Sequence, residues 1–335
     1  MKIYRLLPLI CAMSVTPAQA MLLDAWNKAL THDPDYQASL AEQDIAKEDL
    51  ALARSQLLPQ LSAQGSRGKA NAKITGTAPG GKAVNRQYDT GIWSLQLRQP
   101  LIRPAAIYAY RSTVSHVAAS DALRQDARQS LLTNMIVTLG HLHFAAASLE
   151  ASRIATNSAE QMLNLNQRQL RAGNGTRREI AEAQIDLARA RQQIADAKLE
   201  QASQEAVWQQ ITGDSNAHLQ PLPSSLAERL PTPEGDMSVL LALASEKQPA
   251  LRAAREEREA ARLDIRRAFS EHLPSLDLTA SRSFSESNTE NTIDNTFLTN
   301  RIDLQLTLPL FSGGATQARV RQSAAKLRQA EARLD

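Results

Sequence analysis

The sequence has few aromatic residues, few glycines and prolines, and one cysteine. Five Phe, three Trp and five Tyr make up only 4% of 335 residues, whereas 43% of all residues are hydrophobic. Dense aromatic cores are therefore excluded, and so are collagenous, disulfide-stapled and globally disordered chains. A hydrophobic content dominated by alanine and leucine is typical of extended helices rather than of an α/β enzyme.

An excess of charge of one sign is also missing. The chain carries 38 basic and 35 acidic residues, a net charge of +3, and both signs are spread along its length. Binding to phosphates requires a concentration of basic side chains. We therefore expect no nucleic-acid partner.

The N-terminus predicts export from the cytoplasm. Residues 1–20 contain the basic residues Lys2 and Arg5, an apolar core over Leu6–Val15, and a small-residue cleavage motif at Ala18-Gln19-Ala20. This order is that of a secretory signal peptide. No later stretch reaches the roughly 18 consecutive apolar residues of a membrane-spanning helix. A membrane crossing by this chain would therefore require strands.

The chain contains an internal repeat. Leu57-Leu58-Pro59-Gln60-Leu61 recurs as His272-Leu273-Pro274-Ser275-Leu276, and Leu95-Gln96-Leu97 recurs as Leu304-Gln305-Leu306. Repeats of this kind organise a fold. The division that this repeat predicts has four parts: a signal peptide (1–20), a first structural repeat (21–230), a linker (231–236) and an incomplete second repeat (237–335).

Each repeat contains two segments in which apolar and polar residues alternate. The apolar positions share a spacing of two and comprise Leu61, Ala63, Gly65, Trp93, Leu95, Leu97, Leu276, Leu278, Ala280, Ile302, Leu304, Leu306, Leu308 and Leu310. Segments of about ten residues with one apolar face suit the strands of a transmembrane barrel. Two amphipathic hairpins in a soluble sandwich would give the same pattern, and the pattern alone does not separate the two.

A very long helix is predicted over Ala106–Ala172. This segment has no proline and a single glycine, Gly140, and at 1.5 Å per residue it would extend about 100 Å. Its apolar side chains recur every three or four residues from Leu123 to Leu149. Because this apolar stripe is narrow, we expect the helix to pack against other long helices.

A glycine turn ends this helix and starts a second one. Gly173-Asn174-Gly175 predicts the turn, and Thr176 with Glu179 three residues later forms a capping-box pattern before a helix over Arg177–Ile211. The two helices form an antiparallel hairpin. Because the returning helix is only about half as long as the first, we expect Leu22–Leu57 to cover the remaining half.

Catalytic and metal-binding patterns are missing from the sequence. It has no GxSxG elbow, phosphate loop, HExxH motif or dinucleotide fingerprint. His141 and His143 lie about 200° apart around a helix and would not chelate one ion. Cys11 falls in the signal peptide. We therefore expect no enzyme activity, catalytic residue, cofactor or metal.

Taken together, the motifs resemble those of the outer membrane factor (TolC) family. The residues that carry the resemblance are Leu57–Leu61, Ser94–Leu97, Gln210–Gly213, His272–Ser281 and Leu308–Gly314. The resemblance implies a mixed α/β membrane protein, with four transmembrane β-barrel strands per chain and a very long α-helical hairpin that forms part of a coiled-coil tunnel. The chain would then comprise two tandem repeats, of which the second is incomplete.

The resemblance also implies function and partners. Members are homotrimeric channels in outer-membrane lipid, with helices in the periplasm, and they serve type I secretion or multidrug efflux. They work with a periplasmic adaptor and an inner-membrane pump, either an ABC or a proton-driven transporter. A competing hypothesis is a periplasmic adaptor with a helical hairpin, and a third is a soluble periplasmic coiled-coil scaffold.

By the same resemblance, Ala172, Gly173 and Asn174 form the hairpin tip that adaptors contact. Glu179 falls where members carry an acidic residue of the network that holds the tunnel closed, and Arg178 stands where a small polar residue is usual. Glu179 is equally well explained as the capping-box acid of its helix.

The second repeat departs from the family pattern. Its long helix begins near Ala315, and only about twenty residues follow. The second tip, with its acidic residues, is absent from the sequence. We therefore expect a truncated or frame-shifted product, or a partial sequence, that is impaired in transport by itself.

Overall fold

The computed structural model describes residues 17–74, 83–214, 236–287, 289 and 292–334, and it contains the four predicted strands and the predicted helical hairpin. Most of the predicted signal peptide and linker, and Cys11, lie outside the described residues. None of the described helices is long and apolar enough to span a bilayer. The elements in chain order are α1 (Pro17–His32), α2 (Pro34–Ser55), β1 (Gln60–Ile74), β2 (Val84–Ile102), α3 (Pro104–Arg171), α4 (Arg177–Thr212), α5 (Met237–Lys247), α6 (Pro249–Ser270), β3 (Ser275–Glu286), β4 (Thr296–Thr307) and α7 (Ala315–Leu334).

The boundary between α1 and α2 follows from two residues. Pro34 occupies the first position of α2, where its missing N–H costs nothing. The buried carboxylate of Asp33 accepts a hydrogen bond from the backbone N–H of Tyr36 at 2.8 Å and so caps α2. Pro34 and Asp33 therefore divide the predicted segment Leu22–Leu57 into two helices. Helix α1 begins at Pro17 and so includes the last four residues of the predicted signal peptide.

The four strands form one antiparallel sheet in the order β1-β2-β3-β4. Residues that are paired across neighbouring strands point to the same face of the sheet. Each set of paired residues therefore forms a row of side chains across the four strands. One such row is Leu61, Leu97, Ala280 and Ile302. The alternating apolar positions predicted from both repeats thus lie on a common face, except Leu308 and Leu310, which were wrongly included because β4 ends at Thr307.

A carboxylate joins the start of β3 to the end of β2. The Asp277 side chain is 4% exposed, and its Oδ2 accepts hydrogen bonds from Nη2 of Arg98 at 2.6 Å and from Nη2 of Arg103 at 3.0 Å. Arg103 directly precedes α3, and its carbonyl accepts the first N–H bonds of that helix. Asp277 therefore fixes the junction at which the sheet passes into the long helix.

Packing divides the chain into two units, the first of which comprises residues 17–41, 124–214 and 236–243 within the described ranges. Its core consists of buried residues from α1 to α4: Ala25, Ala29, Tyr36, Leu131, Met135, Leu142, Trp208 and Ile211. The apolar stripe predicted on α3 is largely confirmed, because Leu131, Met135 and Leu142 are buried. Leu123 was wrongly placed in that stripe, since it is 46% exposed and belongs to the second unit.

The end of α4 packs on α1 within this unit. Gly213 has φ +72, and a Cβ at this position would lie 2.9 Å from the ring of His32. Beside it, Lys28 Nζ donates to Asp214 Oδ2 at 2.9 Å. Helix α1, part of the predicted segment Leu22–Leu57, therefore meets the end of α4, as expected if this segment covers the half of α3 that α4 leaves free.

The second unit comprises residues 42–74, 83–123 and 244–334, apart from 288, 290 and 291. It contains the sheet and the helices next to it. Ser112 of α3 donates to the carbonyl of Ala260 on α6, and Arg319 of α7 pairs with Glu271 just after α6. Segments of the two units alternate along the chain, so the units are not the two sequence repeats. The boundaries of the repeats stay a prediction.

The contact between α3 and α6 has a pH-dependent ion pair. His116 Nδ1 lies 3.3 Å from Glu257 Oε1, and this hydrogen bond raises the pKa of His116 and lowers the pKa of Glu257. Asp264 also raises the pKa of His116, whereas Arg267 lowers it. The stabilisation by protonated His116 is fully present below its unfolded pKa of about 6.5 and is lost as pH rises through the raised pKa.

We therefore expect His116→Gln to remove a pH dependence of stability. The free energy of unfolding of the native chain should fall by less than about 1 kcal/mol from pH 6 to pH 9, because both side chains are half exposed. Urea titrations at both pH values measure this difference. A His116→Gln protein that keeps the whole decrease would contradict the assignment.

Candidate functional site

The turn between α3 and α4 is a Schellman motif. Gly173 has φ +78, a left-handed conformation that strongly favours glycine. Its N–H donates to the carbonyl of Leu170 at 3.1 Å, and the N–H of Asn174 donates to the carbonyl of Gln169 at 2.9 Å. Ala172, Gly173 and Asn174 are exposed. The structure therefore presents the three predicted tip residues to solvent on a rigid, hydrogen-bonded turn.

A second glycine is required in this turn for a different reason. A Cβ on Gly175 would lie 2.9 Å from the backbone N of Leu170 and 3.2 Å from the carbonyl carbon of Gln169. Backbone atoms cannot move aside as a flexible side chain can. Gly173 is needed for its φ, whereas Gly175 is needed for the close approach of the chain to the end of α3.

Helix α4 begins with the predicted capping box. The backbone N–H of Thr176 donates to Glu179 Oε2 at 2.7 Å, and the N–H of Glu179 donates to Thr176 Oγ1 at 3.3 Å. These two hydrogen bonds lower the pKa of the Glu179 carboxyl. Within the chain, the Glu179 side chain therefore acts as the helix cap. A role in closing a tunnel stays a prediction.

Arg178 does not pair with Glu179. Its Nε donates to Glu182 Oε1 at 2.8 Å, one turn along α4, and its side chain is 87% exposed. Other groups join the two helices of the hairpin. Asn166 donates to the carbonyl of Glu179 at 3.2 Å, and Arg191 pairs with Glu160 at 3.0 Å. The structure thus places Arg178 and Glu179 side by side on α4 but in separate interactions.

One face of the sheet is apolar and exposed. Its large side chains are 37% to 77% exposed and comprise Leu61, Trp93, Leu95, Leu97, Phe284, Leu298, Ile302, Leu304 and Leu306. The opposite face carries polar residues in the same strands, including Gln96, Arg98 and Gln305. A soluble sandwich would bury the apolar face inside its own chain. The face instead leaves nine large apolar side chains exposed, as does a surface that contacts an apolar environment.

Comparisons with known proteins agree with these features. The model of a family described as "Outer membrane efflux protein" matches residues 25–214 and 240–335. The alkaline protease secretion protein AprF of Pseudomonas aeruginosa is 31% identical over 317 residues, which are 94% of this chain and 66% of AprF. The proteases secretion protein PrtF of Dickeya chrysanthemi is 31% identical over 341 residues, 98% of this chain and 72% of PrtF.

Other similar proteins are more distant. The outer membrane protein TolC of Escherichia coli is 26% identical over 95% of this chain and 66% of TolC. The crystal structure of the Campylobacter jejuni CmeC outer membrane channel matches with a TM-score of 0.76 and 22% identity, covering 93% of this chain and 66% of CmeC. The chain thus spans about two thirds of the length of these relatives.

Proposed function

Because this chain belongs to the outer membrane efflux protein family, we propose that it is a channel subunit that carries substrate across the periplasm and the outer membrane. The observation that carries the proposal is the exposed apolar face of the sheet. Each of β3 and β4 has 12 residues, which exceeds the roughly nine to eleven that a tilted strand needs to cross a bilayer. The apolar face would contact lipid and the polar face would line the channel.

The open edges of the sheet support a homotrimer. Among the described strands, β1 pairs only with β2, and β4 pairs only with β3. Open edges leave backbone N–H and C=O groups unsatisfied, which is unfavourable in lipid. Pairing β4 of one copy with β1 of the next would close a barrel, and three copies would give twelve strands.

Membrane fractionation tests this proposal against the alternatives. The channel should be recovered from the outer membrane as trimers that resist SDS and dissociate on heating. Recovery with the inner membrane would instead favour the adaptor, and a soluble periplasmic pool would favour the scaffold. The relatives named above favour the channel over both.

We place the partner contact at Ala172, Gly173 and Asn174. These residues are exposed at the end of the hairpin, and their backbone is fixed by the Schellman hydrogen bonds. The proposed partner is a periplasmic adaptor that couples the channel to an inner-membrane pump. Asn174→Cys, labelled with a photo-crosslinker, should capture the adaptor, whereas the matched variant Leu199→Cys, exposed on the middle of α4, should not.

Two variants separate the capping and gating roles of Glu179. Glutamine preserves the capping geometry but removes the charge, so Glu179→Gln should leave α4 intact. Thr176→Ala removes the cap but keeps the charge, and should destabilise the helix by about 1 kcal/mol. If the Glu179 charge holds the tunnel closed, only Glu179→Gln raises the conductance of channels in planar bilayers. Equal conductance of the native protein and Glu179→Gln would show that Glu179 only caps α4 and does not hold the tunnel closed.

The class of substrate we propose is a secreted protein. The two relatives with 31% identity are both named as protease secretion proteins. A type I system would then supply an ABC pump as the inner-membrane partner. In a host that lacks its own channel, we expect the chain, if active, to restore export of a protease more than resistance to drugs, and the reverse result would favour efflux.

A further inference from the structure

Among the described residues, the apolar rows of this face of the sheet contain one cation. Arg282 lies in the row Ala63, Leu95, Arg282 and Asn300. The row on one side of it is Leu61, Leu97, Ala280 and Ile302, and the row on the other side is Gly65, Trp93, Phe284 and Leu298. Arg282 is exposed, and its row is flanked by apolar rows in both directions along the strands.

The position of Arg282 within this face sets its depth. The row beyond Trp93 and Phe284 contains Arg67 and Glu286, so the apolar band ends there. This end of the sheet is the one at which both strand hairpins turn, away from the helices. Two residues along a tilted strand correspond to about 5 Å of depth in the bilayer. The Cα of Arg282 therefore lies about 5 Å deeper than the row that contains Trp93 and Phe284.

An arginine at this depth can reach the bilayer surface. Long cationic side chains place their charge at the interface while their methylene groups stay in apolar surroundings. The cost of arginine on the lipid face of a barrel falls to about 1 kcal/mol or less near the interface. Aromatic side chains mark that interface in barrels, and Trp93 and Phe284 are the neighbours of Arg282 on its outer side.

The surroundings of Arg282 suit an amphiphile with a negative headgroup. Two shallow grooves of about 370 and 320 Å³ meet at Arg282, and the apolar residues that line them include Trp93, Leu95, Phe284 and Ile302. Among the described residues, no carboxylate forms an ion pair with the Arg282 guanidinium. On the polar face, by contrast, Arg301 lies 4.0 Å from Asp303. Asn300, opposite Arg282, offers a second hydrogen-bond donor.

We propose that Arg282, with Asn300, binds the phosphate of an anionic lipid in the outer leaflet, whose acyl chains lie in the flanking grooves. The guanidinium matches phosphate oxygens in a two-pronged geometry, which favours phosphate over a zwitterionic headgroup that carries its own cation. This inference rests on the proposed lipid-facing sheet.

Trp93 provides the reporter for a test, because it is one row from Arg282 on the same face. The full chain is reconstituted into vesicles that contain equal mole fractions of either brominated phosphatidylcholine or brominated phosphatidic acid, which quench nearby tryptophans. The Trp93→Phe variant measures the background quenching of the two other tryptophans, Trp26 and Trp208. Arg301→Gln is the matched control, since Arg301 follows Asn300 on β4 and its replacement removes the same charge from the other face of the sheet.

We expect phosphatidic acid to be enriched about fivefold over phosphatidylcholine at Trp93 in the native chain and in Arg301→Gln. Arg282→Gln should reduce the enrichment to about one while quenching by phosphatidylcholine persists. Equal enrichment in Arg282→Gln and the native chain would overturn the lipid site but not the channel. Absence of quenching by both lipids would show that the sheet does not face lipid, and it would overturn the channel and the lipid site together.

Discussion

Asp277→Ala is expected to lower the free energy of unfolding by about 1.5 to 3 kcal/mol, the loss of charge-assisted hydrogen bonds. The carboxylate is 4% exposed and accepts hydrogen bonds from both Arg98 and Arg103. Its removal leaves two guanidinium groups at the strand–helix junction without their shared counter-charge, and their partial burial makes that unfavourable. Urea titration of the detergent-solubilised protein, followed by circular dichroism, measures the loss.

The control for Asp277 lies in the next strand. Asp303 is 54% exposed and 4.0 Å from Arg301, so Asp303→Ala should cost less than about 1 kcal/mol. In an Arg98→Ala, Arg103→Ala background, the additional cost of Asp277→Ala should shrink, because the three side chains act as one network. A similar cost for Asp277→Ala and Asp303→Ala would show that the buried carboxylate does not hold the junction.

Trp208→Ala is expected to destabilise the first unit by about 3 to 5 kcal/mol. Trp208 is 3% exposed and lies in the core with Met135, Leu142 and Ile211. Truncation to alanine removes its buried surface and leaves a cavity that a helical core fills only in part. Thermal unfolding followed by near-ultraviolet circular dichroism would report the change.

Leu199 on the same helix is the matched comparison. It is 73% exposed, so Leu199→Ala should change stability by less than about 0.5 kcal/mol. If the Trp208→Ala protein were as stable as the Leu199→Ala protein, Trp208 would not be part of a core formed by α1, α3 and α4.

Local sequence signals predicted much of the fold. The uninterrupted run of helix formers gave α3, which spans Pro104–Arg171, and the Gly173-Asn174-Gly175 pattern gave its terminal turn. Thr176 and Glu179 form the capping box that their spacing indicates. These features depend on residues within a few positions of one another, so a single sequence specifies them.

Contacts between distant residues were not predicted. Arg98 and Asp277 are 179 residues apart, and neither one marks the other as its partner in sequence. The register of β2 on β3 likewise depends on pairing across the whole of α3 and α4. A signal for Arg282 did exist, since the alternation Leu276, Leu278, Ala280 continues directly to Arg282 and Phe284. Recognising its surroundings required the rows that only the sheet supplies.

The unpaired edges of β1 and β4 have a genetic consequence if the sheet closes by joining copies. Each subunit would then complete its hydrogen bonding only through two neighbours, so one defective edge would leave the whole ring open. A variant with a disrupted β4 edge, produced in equal amount with intact chains, would leave only about one eighth of assemblies free of defective subunits, provided that the three copies mix at random. Such alleles would be dominant over the intact gene.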